Sequence, residues 1–531
     1  MSRRALLVVL LLTTGAGGCI RSPAPVNPAA MAGRIKSPAP QASSPPGPVP
    51  DRAPEGQLAP TAPSLLGQGP LTLEEAKNLA DRVNPQLNRT RETVNRAAAQ
   101  ERIVFADFLP AVSLSHEFDA VSSSAGFVGT KDSRRFVQLP VRGYGPGDQD
   151  FQVLDLELRY TVFQFGKRLA QHDQAVLRWD IAKLQTERAR QSVGFDVSIR
   201  YAEVLEAYAT RAVAERTVER AEAVLNDATN LEKRGVLTRE DVLRADVQVA
   251  DARQALTSAR SSVSIANAAL NRAIGITVGF PIRVTEAALP IPTPTSLAPP
   301  QNPSPTFERG LEDCLDLAVQ NRPELVVVQK AIQAATRGVD ATRADYLPTF
   351  GTRATGSVVE GVDVQNSVVF NAGIFMKWDL YTGGRRNGVV LAAESDVRAA
   401  VAESQQICDT IAFEVHTAFA NIVDSRERII QTRTAVEQAR ETLRLVQNRY
   451  NRGDAKPTDV VDAQTALTRA EQNANNARYA YLIALARMEF ATGVPLSALL
   501  GATGKALPPP KPLERPMLPP ERPGGVGGKG L

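Results

Sequence analysis

The chain has 531 residues and a net charge of +4 with both signs interleaved, which removes the electrostatic case for a nucleic-acid binder. It is 43% apolar but only 5% aromatic, a balance that favours long, closely packed helices over thick aromatic cores. Three His and three Cys, none clustered, argue against a metal site or a disulfide framework, and no cofactor is expected.

Arg3-Arg4 precede an apolar run from Ala5 to Leu12, followed by Thr13-Thr-Gly-Ala-Gly-Gly-Cys19. The run is too short to span a bilayer and has the shape of a secretory signal. Small residues ending directly at a Cys resemble a bacterial lipoprotein cleavage box, with Ala16 where that box usually has Leu. On this reading 1–18 is a signal peptide and Cys19 carries acyl chains that tether the mature protein to a membrane. The other reading is an ordinary signal peptide with an incidental Cys19. From 19 to 70 the chain is rich in Pro, Ala, Ser and Gly without apolar periodicity, and reads as a flexible linker. The Pro- and Gly-rich 501–531 reads as a disordered tail.

Between these ends the sequence repeats itself. Asn84-Pro85 recurs as Arg322-Pro323 and Leu109-Pro110 as Leu347-Pro348, both 238 residues on. Gly235, Asp241, Ala245 and Gly275 recur as Gly453, Asp459, Ala463 and Gly493, now 218 residues on. The first repeat is placed at 71–286, a proline-rich connector at 287–306, and the second repeat at 307–500.

Each copy has the same order. A helix of about 35 residues opens it, with Thr72 and Glu75 spaced as a capping box, and runs to the Leu-Pro pair. Strands follow. Leu154, Leu156, Leu158, Tyr160 and Val162 alternate with Asp155, Glu157, Arg159 and Thr161, and Val368 to Leu380 repeats the pattern. Weaker alternation at 112–119 and 349–359 brings the total to four strands. Next, 167–233 carries no Pro, and Val193, Val197, Tyr201, Val204 and Tyr208 mark a helical stripe. Its counterpart spans 384–451, with Ile411, Val415 and Phe419 on the stripe. After a turn, shorter helices return over 236–274 and 457–492. Cys314 and Cys408 read as buried small hydrophobes. His116, His172 and His416 are assigned no chemistry. Trp378 and Tyr381 read as membrane-boundary anchors or as core.

Four amphipathic strands cannot close a membrane barrel, and an open edge in lipid is prohibitive. Either they form a soluble sheet or several chains pool them.

The doubled order, the Leu-Pro pairs, Leu380-Tyr-Thr-Gly-Gly-Arg-Arg386 and the two Gly turns with Asp-Val six residues on together resemble the TolC-like outer-membrane efflux proteins, many of them lipoproteins. The resemblance covers about 71–500. It implies a mainly α fold with a membrane β-barrel portion, two structural repeats, and four β-strands per chain. It further implies a homotrimer with a twelve-stranded barrel in the outer membrane and a helical tunnel through the periplasm of a Gram-negative-type bacterium. The function implied is the exit duct of a tripartite efflux or type I secretion system, working with a periplasmic adaptor and an inner-membrane pump. A periplasmic adaptor of membrane-fusion type and a structural coiled coil are the alternatives. No phosphate loop, metal cluster or set nucleophile suggests an enzyme.

Carried over by position, Tyr450 sits where the family has its gating Tyr, and Asp459 and Asp462 where acids ring the constriction. Asp241 lies where the first turn receives bonds from the second. Ala455 stands where the family's prototype has Arg, with Lys456 beside it as a substitute that lacks the planar fork. The competing reading is helix-end chemistry: Thr238 with Asp241, and Asp459 after Pro457, suit helix starts, while Gly235 and Gly453 suit helix stops. The tips Gly235, Thr238, Gly453 and Asp454 are expected to meet the adaptor.

Overall fold

A computed structural model describes residues 69–121, 149–286, 309–361, 367–452 and 454–500. The signal segment, Cys19, nearly all of the linker, residues 122–148, the whole connector, Gly453 and the tail therefore lie outside the described residues.

In chain order the elements are α1 (Leu73–Val83), α2 (Pro85–Ala106), β1 (Ala111–Val121), β2 (Gln149–Phe163), α3 (Lys167–Lys233) and α4 (Arg239–Ile274). The second copy follows as α5 (Leu311–Asn321), α6 (Pro323–Arg343), a short 3-10 turn (Ala344–Tyr346), β3 (Thr349–Gly361), β4 (Ser367–Lys377), α7 (Arg385–Asn451), α8 (Pro457–Thr492) and α9 (Leu496–Leu500). α3 and α7 each have 67 residues, about 100 Å of helix. α4 and α8 have 36 each. No described helix is both long and apolar enough to cross a membrane.

The opening helix is not one helix of about 35 residues. In both copies it is two, broken at Asn84 and Arg322, whose ψ angles of 123° and 115° are extended. Each precedes a Pro, whose ring clashes with an α-helical neighbour and restarts the helix at its own position. The returning helix α4 also starts later than expected, at Arg239, because Thr238 is its cap.

The contacts divide the chain into two compact units that cut across the repeats. One holds the described residues up to Pro85 and those of Ser192–Phe307 and Phe419–Arg487. The other holds Gln86–Gln191, the described residues of Glu308–Ala418, and those from Met488 on.

Within the first unit, packing follows a heptad logic. α7 buries Ala418's successors Ile422, Ser425 and Ile429, then Leu443 and Tyr450, while Val436, Ala439 and Val446 are partly buried between them. Steps of four and three keep one seam of the helix inward, as in a coiled coil. α4 does the same with Val242, Ala245, Val249, Ala252, Ala259 and Val263, where Ala allows close approach. Tyr201 of α3 pins the start of the repeat to its end: its hydroxyl lies 2.8 Å from Leu71 O and 2.6 Å from Thr285 O. The C-terminus of α4 meets Asn84-Pro85. Asn84 Nδ2 donates to Ala273 O at 2.7 Å, and Gly275 closes the helix at φ +96°. A Cβ on Gly275 would stand 2.8 Å from both Asn84 Cα and Pro85 Cδ, so the close approach and the left-handed backbone both require glycine.

The second unit contains the equivalent junction of the second copy, with a charge in place of the amide. Arg322, only 2% exposed, donates to Phe490 O and Ala491 O and pairs with Glu324 at 3.0 Å and Glu414 at 2.7 Å. Arg188 joins from α3, pairing with Glu324 at 2.5 Å and lying 3.6 Å from the Phe490 ring centre. Burial and the neighbouring Arg322 pull the Arg188 guanidinium down to about 10. Cys314 is buried in this unit, and burial pushes its thiol up to about 11. Cys408, expected to be buried, is instead exposed, on a stretch of α7 before Ile411, its first buried residue.

The four strands, all in the second unit, form one antiparallel sheet in the order β1-β2-β3-β4. The two pairs expected from the sequence are thus joined through β2 and β3. β1 and β4 each have one unpaired edge. Trp378 and Tyr381 lie just past the end of β4 and are exposed, and Trp378 Nε1 donates to Tyr346 O at 3.1 Å.

Candidate functional site

Two regions carry chemistry that packing does not consume: the paired helical turns in the first unit and the strand sheet in the second. At the first turn, α3 ends in a Schellman arrangement. Val236 N–H donates to Leu231 O at 3.0 Å and Gly235 N–H to Glu232 O at 2.8 Å, with Gly235 at φ +74°. The second turn repeats the outer bond, from Asp454 N–H to Arg449 O at 2.9 Å.

Both acids at the starts of the returning helices serve as caps. Asp241 Oδ2 accepts from Thr238 N–H at 3.1 Å and from its hydroxyl at 2.8 Å, while Asp241 N–H donates back to Thr238 Oγ1. That reciprocal set satisfies two helix-end donors. The Thr238 hydrogen bonds, with smaller pulls from Arg244 and Lys456, hold the Asp241 carboxyl below its ordinary range. Asp459 Oδ2 accepts from Lys456 N–H at 3.0 Å. Lys456 has no side-chain acceptor, so this turn has only half the box. Lys456 and Asp241 form no ion pair among the described residues, so the link between the turns is the packing of their helices.

One apolar cluster binds the turns. It joins Val224 and Ala228 of α3, Val242 and Ala245 of α4, Leu443 and Tyr450 of α7, and Val460, Ala463 and Leu467 of α8, with Leu231, Leu237 and Ala455 packed on it. Tyr450 is the last inward position of the α7 seam and is 7% exposed. Its hydroxyl is buried with no hydrogen-bond partner among the described residues. Burial, then Asp227 and Asp241, raise its pKa. Asp462, Asp454 and Lys456 are exposed, and Asp462 makes no hydrogen bond among the described residues. Of the residues placed at the turns from sequence, Tyr450 is therefore core, Asp241, Thr238 and Asp459 are caps, and Asp462 is a free surface acid.

The sheet is inverted relative to a soluble one. Val112 and Leu114 of β1, Leu156 and Leu158 of β2, and Val368, Phe370, Ile374 and Met376 of β4 are exposed, with Ile374 at 84%. The register places Leu114, Leu156, Gly356 and Phe370 in one row across all four strands of this face. On the opposite face Thr355 and Ser357 are buried, at 8% each. Sequence reasoning missed the charged triad on that polar face. Glu157 pairs with Arg159 at 3.0 Å and with Arg353 at 3.1 Å. The alternation showed which face these residues share, but only the strand register brings them together.

The family model described as outer membrane efflux protein matches residues 78–276 and 314–494. The outer membrane efflux protein BepC of Brucella suis is 26% identical over 47% of this chain and 54% of its own length. The chain thus spans about half of that relative. The alkaline protease secretion protein AprF of Pseudomonas aeruginosa is 27% identical over 67% of this chain and 73% of its own. Among solved structures, the outer membrane protein VceC of Vibrio cholerae superposes with a TM-score of 0.64, at 19% identity, over 80% of this chain and 96% of its own. That likeness establishes a shared fold of long helices and strands. The match across both repeats shows that this chain belongs to the outer membrane efflux protein family.

Proposed function

We propose that the chain is one protomer of an outer-membrane exit duct in a tripartite efflux or type I secretion system. Three copies pool their four-stranded sheets into a closed barrel. The observation that carries this reading is the inverted sheet: a broad apolar face is exposed, the polar face is the more buried one, and an edge stands open on each side. Water disfavours that face and lipid disfavours those edges. Joining the edges of several copies in a bilayer relieves both, because twelve strands fall within the range of known membrane barrels whereas four do not. A soluble adaptor has no use for such a sheet.

In this reading the long helices α3 and α7 form a periplasmic conduit that receives cargo from an inner-membrane pump through an adaptor. The turn tips Gly235, Thr238, Gly453 and Asp454 are the adaptor contacts. Asp462, free at the second turn, is the gate acid; Asp241 and Asp459 position the helix starts, and Lys456 tunes the field between them. Cys19 is the lipid tether. No catalytic role is assigned to any residue. Purified protein should insert into planar bilayers as discrete channels. A preparation that stays monomeric in detergent and never conducts would overturn the duct and revive the adaptor reading.

A further inference from the structure

The polar face of the sheet contains an arrangement that strand formation alone does not explain. The register sets Arg159 of β2 directly opposite Arg353 of β3, side by side on the same face. Like charges directly opposite one another weaken a strand pair. The rest of that row offers no compensation, for Ala111 lies beyond Arg159 and Gly373 beyond Arg353. One row along, Glu157 accepts a hydrogen bond from Arg159 and forms an ion pair with Arg353, so one carboxylate serves two cations. Asp155, the next acid on β2, lies a row further away.

Burial orders the three groups. The Glu157 side chain is 18% exposed, whereas those of Arg159 and Arg353 are 54% and 43% exposed. The acid is sunk against the sheet and the guanidiniums stand above it. Arg353 is steadied from a second side. The Phe375 ring folds over Gly351, where a Cβ would come within 2.5 Å of it, and the ring centre lies 5.7 Å from the Arg353 guanidinium. At this row two held, exposed guanidiniums share one carboxylate, a local positive step, while the acids Asp155 and Glu117 stand further along the same face.

We propose that Arg159 and Arg353, held by Glu157, form an anion-favouring level in the lumen of the duct. The inference rests on the pooled-sheet reading above, in which this face lines the pore and three copies repeat the triad around it. Rings of Arg are a known means of selecting anions, and the planar, permanently charged guanidinium suits carboxylate and phosphate groups on cargo.

The test is the reversal potential of the full-length protein in planar bilayers under a potassium chloride gradient. Relative to wild type, R159Q/R353Q should raise the potassium-to-chloride permeability ratio about threefold or more, and E157Q should lower it. Should the double variant fail to insert, E157Q alone decides through the sign of its shift. Channels that open normally with wild-type reversal potentials in the variants would overturn the anion level and leave the duct intact. A wild-type protein that forms no channel would overturn both.

Discussion

Tyr450 offers the sharpest test of how the turns are built, because two substitutions there should have opposite signs. Its ring fills the last inward position of the α7 seam among Val224, Val242, Ala245 and Leu467, yet its hydroxyl is buried without a partner among the described residues. An unmade hydrogen bond on a buried polar group costs about 1–3 kcal/mol. Tyr450→Phe keeps the ring and removes that group, so it should stabilise the protein by about 1 kcal/mol. Tyr450→Ala removes the ring and leaves a cavity, and should destabilise by about 3–5 kcal/mol. Chemical denaturation of the assembled protein, followed by circular dichroism, reads both. If Tyr450→Phe destabilises by about 1 kcal/mol or more, the hydroxyl has a partner in the assembly and the core reading of this residue is wrong.

Three further outcomes follow from the same structure. Gly275→Ala meets both a left-handed backbone and the Asn84-Pro85 contact, whereas Gly235→Ala meets only the backbone, with open space around it. The first should cost about 3 kcal/mol and the second about 1, and equal losses in thermal unfolding would refute the close-approach argument. Arg322→Met takes the near cation from Glu414 and frees the Ala491 carbonyl, while Arg188 still holds Glu324 and the Phe490 carbonyl, so a loss of about 3 kcal/mol is expected in denaturant titration. Adding Glu414→Met should recover part of it; no recovery would show that the pairing is not the source of the loss. Reversing the free acid with Asp462→Lys should change single-channel conductance and weaken cation preference at the turn, and unchanged currents would remove Asp462 from the gate.

The repeats made much of this fold readable. The bounds of α3 and α8 follow from the absence of Pro, from Pro457 and from the matched glycines, and the inverted sheet follows from strict alternation at Leu154 to Val162. The Thr238–Asp241 spacing announced its own cap. Other features depend on partners that one strand of sequence does not name. Asn84-Pro85 was legible as a landmark, but only the extended backbone shows that it divides a helix. Position alone puts Tyr450 at the turn, where a gate residue is expected, and says nothing of its burial. Its burial emerges from a seam of fours and threes, running back through Leu443 and Ile429, that requires knowing which face packs. The same holds for Arg322, which replaces the neutral Asn84 of the first copy and draws in Arg188 from far along the chain. Arg159 and Arg353 are opposed only through register, which the alternation of either strand alone leaves free.

The central claim is that separate copies join through the open edges of β1 and β4. Cysteine pairs placed across that junction test it directly, with Ser113 or Ser115 of β1 changed to Cys in combination with Val369 or Asn371 of β4, and Cys314 and Cys408 replaced by Ser. Oxidation in the outer membrane should convert at least one pairing into a covalent trimer on denaturing gels. Monomers throughout, or a bond formed only within one chain, would contradict the account.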